Sequence, residues 1–147
     1  MTKASDVTAQ LVARLTGITR VGGYNTDIGL NVARGVPASM PDELPFTCIF
    51  AVSDADSGGN RVHRKHTRNY VVETVFPAGD SYDEMQDAVL YDIRLALSDP
   101  DGKVLDGTAH KVAIGTAELD DPEIGSGLAV VRIPVAVDYT ETYQRGI

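Results

Sequence analysis

Leu128-Ala129-Val130-Val131-Arg132-Ile133-Pro134-Val135-Ala136-Val137-Asp138-Tyr139 is the longest strongly apolar stretch of the chain, and its alternation decides the fold. Side chains two residues apart share one face of a strand. One face of this stretch therefore carries Ala129, Val131, Ile133, Val135, Val137 and Tyr139, a row that has to be buried. Pro134 has no N–H to give to a ladder, which points to an edge or a bulge at that position.

Working outward, Tyr70-Val71-Val72-Glu73-Thr74-Val75-Phe76 is rich in β-branched and aromatic residues and ends a strand expected over 61–76. Phe46 to Val52 reads as a buried strand before it, and the Gly-rich segment 53–60 between them reads as the turn of a hairpin. A weaker strand is expected over Lys111–Glu118, around Val112 and Ile114.

Two helices accompany these strands. Met85, Val89, Ile93, Ala96 and Leu97 form an apolar stripe over 82–98, with Ser81 and Glu84 spaced as a capping box. Asp80, Asp83, Glu84 and Asp87 lie at its start, where the helix dipole favours acids, and Asp99-Pro100-Asp101-Gly102 is expected to stop it. Val7, Leu11 and Leu15 recur every four residues over 5–16, with Ser5 as expected N-cap and Gly17 as the end. Residues 20–45 are broken by Gly22-Gly23, Gly29, Gly35, Pro37, Pro41 and Pro45, with short extended pieces expected around 29–34. The expected architecture is α+β: a mainly antiparallel sheet of about four strands with two helices packed on one face, in a single domain over 1–147.

Composition narrows the function. The 147 residues carry 43% hydrophobic and 23% charged side chains, enough to build a core without metal or disulfides. The net charge of -8 argues against non-specific nucleic-acid binding. No apolar stretch approaches the ~20 residues of a membrane-spanning helix. The N-terminal residues lack the compact apolar run of a secretory signal, so Met1 is expected to be the mature start. Cys48, the one cysteine, is read as a small buried hydrophobe made in a reducing cytoplasm.

The motifs of chemistry are missing. Asp54-Ala55-Asp56 followed by Gly58-Gly59 opens like a calcium loop, but Lys65 stands where the bidentate acid belongs. His63 and His66 are three apart on a strand and point to opposite faces, and Cys48 has no neighbouring cysteine, so no metal site is expected. There is no nucleophile elbow, phosphate loop or dinucleotide fingerprint. No catalytic residue and no cofactor are assigned.

The most unusual local feature is Arg61-Val62-His63-Arg64-Lys65-His66-Thr67-Arg68, four certain cations without an acid in an acidic chain. It reads either as a strand end blunted by charge or as a docking strip. Glu118, Asp120, Asp121 and Glu123 form a complementary acidic block. Opposite patches on one chain suit head-to-tail association, so Arg61, Arg64, Lys65, Arg68 and these four acids are candidate subunit contacts or contacts to a neighbouring protein.

The order of features resembles the tail terminator proteins of long, non-contractile-tailed bacteriophages, the minor tail protein U-like group. The likeness rests on Thr26-Asp27-Ile28-Gly29 with Val32 and Gly35, Leu44-Pro45 before the first buried strand, Asp92-Ile93-Arg94-Leu95-Ala96-Leu97, and the apolar strand ending in Asp138-Tyr139. It spans roughly residues 5–139. The resemblance implies a virion protein, assembled in the host cytoplasm, that forms a homo-oligomeric ring, a hexamer in that family. Such a ring sits on the head-proximal end of the tail tube, stops its polymerisation and presents a surface to the head connector. DNA passes through the lumen only as cargo, and there is no membrane, catalysis or cofactor. An acidic lining would repel DNA phosphates instead of gripping them. Thr26, Asp27, Gly29 and Gly35 are candidate docking-loop residues. The competing expectations are another head–tail joining or tail-completion protein, or a small-ligand binding domain or enzyme, which would need a pocket with convergent polar groups.

Overall fold

The computed structural model describes residues 2–98, 103–120, 122 and 127–145. Helix α1 (Lys3–Thr16) is followed by β1 (Val32–Arg34), β2 (Phe46–Gly59), β3 (His63–Pro77), α2 (Tyr82–Leu97), β4 (Lys111–Ile114), β5 (Glu118–Asp120) and β6 (Leu128–Thr142). The fold is α+β. The expectation of about four antiparallel strands is corrected to a mixed six-stranded sheet in the order β1-β2-β3-β6-β4, with β5 also on β6. β1 runs parallel to β2, and the other pairs are antiparallel.

The alternation of β6 holds throughout: Ala129, Val131, Ile133, Val135, Val137 and Tyr139 are all buried. They join Ile49, Tyr70, Val72 and Phe76 beneath α1 (Val7, Leu11, Leu15) and α2 (Val89, Ile93, Ala96, Leu97). Thr8 of α1 hydrogen-bonds Tyr70 Oη at 2.6 Å inside this layer.

Pro134 lies on a central strand, not an edge. Gly115 N–H donates to its carbonyl at 2.8 Å and His110 N–H donates to Asp138 O at 2.7 Å, so the even residues of β6 address β4 and β5. The N–H that Pro134 lacks would point to the same side. The outer strand breaks there into β4 and β5, which is why the single strand expected over 111–118 appears as two.

The hairpin is also longer than expected. β2 continues through Asp54 and Asp56 to Gly59, with irregularities at Ala51/Ser53 and Asp56/Gly58, so 53–59 is strand and not turn. The reversal occupies 60–62, where Asn60 Oδ1 accepts from Val62 N–H at 2.9 Å and His63 N–H at 2.8 Å. Gly59 has φ +128°, and a Cβ there would meet His63 O at 2.4 Å.

Ser81 stands at the N-cap of α2 as expected, but the N-cap expected for α1 and the capping-box bond expected for α2 are corrected. α1 starts two residues early because Thr2 Oγ1 accepts from Ser5 N–H at 3.1 Å. Ser81 makes no side-chain capping bond to α2. The stop expected at 99–102 lies outside the described residues. Cys48 is buried, on the sheet face away from the helices.

Candidate assembly surfaces

β2, β3 and β6 have 14, 15 and 15 residues, roughly 50 Å of sheet at about 3.3 Å per residue. Past the N-terminus of α1, the helix-side face changes from apolar to charged. Alternation puts Arg64, His66 and Arg68 on that face and Lys65 and Thr67 on the other.

The acids that extend β2 sit opposite these cations. Arg64 grips Asp56 through Nε at 2.6 Å and Nη2 at 3.0 Å. Asp54 takes His66 Nδ1 at 2.7 Å, Arg68 Nη1 at 3.1 Å and the Tyr139 hydroxyl at 2.5 Å. The outer nitrogen of His66 meets Tyr143 Oη at 2.9 Å, and the imidazole stacks on Tyr139 at 5.2 Å. Two of the four cations of the expected docking strip are therefore held by acids of the neighbouring strand. Arg61 and Lys65 are exposed and pair with no acid among the described residues.

A cleft of about 600 Å³ opens beside this cluster, walled by Asp54, His66, Arg68, Tyr139, Tyr143 and Arg145. Its polar groups largely engage one another, although Arg68 Nε is buried without an acceptor. Nor does the α1 N-terminus face the cleft with free donors, because Glu141 accepts from Lys3 N–H at 3.0 Å and Ala4 N–H at 3.1 Å. The cluster braces the free ends of β2, β3 and β6.

Electrostatics follow from this bonding. Burial works to raise the Asp54 pKa, but the bonds from Tyr139, His66 and Arg68 outweigh it and hold the carboxyl below its usual range. The Arg64 bond and the Gly58 N–H bring Asp56 to about 2. Burial, and then Asp54, push the Tyr139 phenol up. A carboxylate with a depressed folded-state pKa stabilises the fold above its unfolded value, near 4, and that contribution is lost as pH falls through the folded value. Asp54→Asn is expected to flatten the stability-versus-pH curve below about pH 4, as read from urea unfolding at a series of pH values. A slope equal to wild type there would show that the brace is not coupled to folding.

The acidic block sits near the other end of the sheet. On the face away from the helices, Arg132 Nε bonds Glu73 at 3.0 Å, and Nη1 bonds Glu118 at 3.3 Å and Asp120 at 3.2 Å. Three carboxylates surround one guanidinium, so the site keeps a negative excess. Asp121 and Glu123 lie outside the described residues.

The candidate docking loop divides in two. Thr26 is buried: its N–H and hydroxyl donate to Asp92 Oδ2 at 2.7 and 2.6 Å, while Asn25 N–H donates to Oδ1 at 3.0 Å. Asp27 accepts from Arg20 N–H at 2.8 Å. Gly29 packs on the end of α1 and donates to Ile18 O at 2.9 Å. These residues fasten the loop to both helices, so Thr26 and Gly29 give a partner no free surface. Gly35, at φ +89°, ends β1 and turns the chain outward. The segment after it crosses an apolar strip of Phe46, Cys48, Phe50 and Val75 and leaves Val36 and Met40 exposed.

Sequence reading missed Asp92, which is fully buried on α2 although aspartate is rarely interior. It also missed the pairing of Asp54 with His66, since the acid was assigned to a turn. No protein-family model matches this chain, and no curated protein matches it.

Proposed function

We propose that this chain is a structural subunit of the tail-terminator type. Copies close into a ring, hexameric as in the family the sequence resembles, that caps the head-proximal end of a phage tail tube. The ring ends tube polymerisation and meets the head connector, and DNA passes through its lumen.

The observation that carries this reading is the separation of charge along the strands. Among the described residues Arg61 and Lys65 meet no acid at the hairpin end, whereas Glu118, Asp120 and the acids at the start of α2 gather toward the opposite end. A subunit with unlike ends orients itself against copies and axial neighbours, and mismatched contacts repel. The self-engaged groups of the cleft support an architectural role over a catalytic one. Among the described residues no helix is long and apolar enough to cross a membrane.

Because Arg64 and Arg68 are held internally, the informative charge reversals are Arg61→Glu and Lys65→Glu. Light scattering across a salt series is expected to show a ring for the native chain. The double variant is expected to give a lower capped fraction of tail tubes at low salt with its melting temperature unchanged. Normal capping by that variant would remove the basic end from the mechanism.

A further inference from the structure

Among the described residues no strand covers the outer side of β1 or of β5, and these two margins fit each other. Asn31 C=O and Gly35 N–H are bonded to β2, so Ala33 faces β2 as well, and the N–H and C=O of Val32 and Arg34 point away from the sheet. On the far side, the even residues of β6 pair Arg132 with Glu118 and Val130 with Asp120. The N–H and C=O of Leu119 therefore point outward from β5.

These margins stand at one level. Val32 is in register with Thr47, Thr47 with Thr74, Thr74 with Val131, and Val131 with Leu119. Following the same ladders, Arg34 is level with Ala117, two residues before Leu119. β1 runs with β2 and β6, whereas β5 runs against β6, so β1 of one copy laid beside β5 of another is antiparallel. Alternation puts the Val32 and Leu119 side chains on the same, helix-bearing face.

From this the geometry points to a specific contact between copies: β1 of one subunit adds to β5 of the next, with Val32 opposite Leu119 and Arg34 opposite Ala117, making one sheet continuous around the assembly. The occupant of the open β1 edge is a second copy of this chain. Pairing like edges is disfavoured, because β5 against β5 sets Glu118 and Asp120 against their own kind. β1 against β5 instead sets the uncharged Ala33 and Asn31 opposite Glu118 and Asp120, so no like charges meet across the seam. Exposed Leu30 and Leu119, 77% and 43% accessible, flank the two edges with apolar surface that such a contact covers. Because unlike edges meet, the contact propagates head to tail and terminates only by closing.

This inference rests on the ring reading, and disulfide trapping separates the two. Facing residues of an antiparallel hydrogen-bonded pair lie about 5.5 Å apart at Cα, within disulfide reach. The full-length chain carrying both Val32→Cys and Leu119→Cys is expected to give, on mild oxidation, a covalent ladder up to the mass of the assembly. Each single variant and the native chain, with its buried Cys48, should stay uncross-linked. Arg34→Cys with Ala117→Cys is a second pair should the first disturb folding, as read from its melting curve. Dimers from either single variant, or a ring of native mass in which neither pair cross-links, would overturn the edge contact and leave the ring reading standing. A chain that stays monomeric at every concentration and salt would overturn both.

Discussion

Asp92→Ala is expected to destabilise the protein by about 4 kcal/mol, seen as a fall in melting temperature of about 10 °C. The carboxylate is fully buried and accepts from two backbone N–H groups and one hydroxyl, all on 25–26. Truncation leaves those donors without an acceptor, the two on Thr26 buried and the one on Asn25 partly so, and each orphaned buried donor costs roughly 1–3 kcal/mol. Asp92→Asn keeps one oxygen and loses the charge, so its expected cost is smaller, about 2 kcal/mol. Urea unfolding of the two variants checks the order. An alanine variant within about 0.5 kcal/mol of wild type would show that the loop holds without the anchor.

Gly29→Ala is the second large effect, expected at about 3 kcal/mol. A Cβ at that position would lie 2.4 Å from Thr16 O and 2.7 Å from both Ile18 O and Leu15 O. All three obstacles are main-chain carbonyls at the end of α1, so no side-chain rotation relieves them. The loop must lift away, weakening the Gly29 N–H bond to Ile18 O and drawing Ile28 from the core. Protease sensitivity of 20–35 should rise in parallel. Gly35→Ala, where a Cβ meets nothing within 4 Å, carries only the cost of its positive φ and serves as the milder control.

These two positions also mark how far the sequence could be read. The core rows of β6, β3 and both helices were legible because they follow single periods, two for strands and close to four for helices. What escaped depends on partners distant in sequence. Asp92 has the residue type of a solvated helix face, and only the arrival of Asn25 and Thr26 makes it an interior acceptor. Asp54 and Asp56 resemble turn residues, yet Arg64, His66 and Arg68 on the facing strand draw them into the ladder. The margins of the sheet were hidden for a related reason. Three-residue strands such as β1 and β5 hold too few residues to show a period, and their open sides are defined by strand order. The candidate contacts accordingly divide: Arg61 and Lys65 face solvent, Arg64 and Arg68 brace the hairpin, and Glu118 and Asp120 hold Arg132.

In the proposed assembly, the basic hairpin end and the acidic opposite end give the subunit a direction, and the β1 and β5 edges give its copies a way to close. The most direct test of the proposed tail-terminator role is to add the purified chain to a phage tail tube protein during polymerisation and to measure tube lengths and tube ends by electron microscopy. A ring seated on one end of every tube, with growth halted there, is the expected result. Tubes that lengthen as freely with the chain present as without it, and whose ends stay bare, would contradict the account.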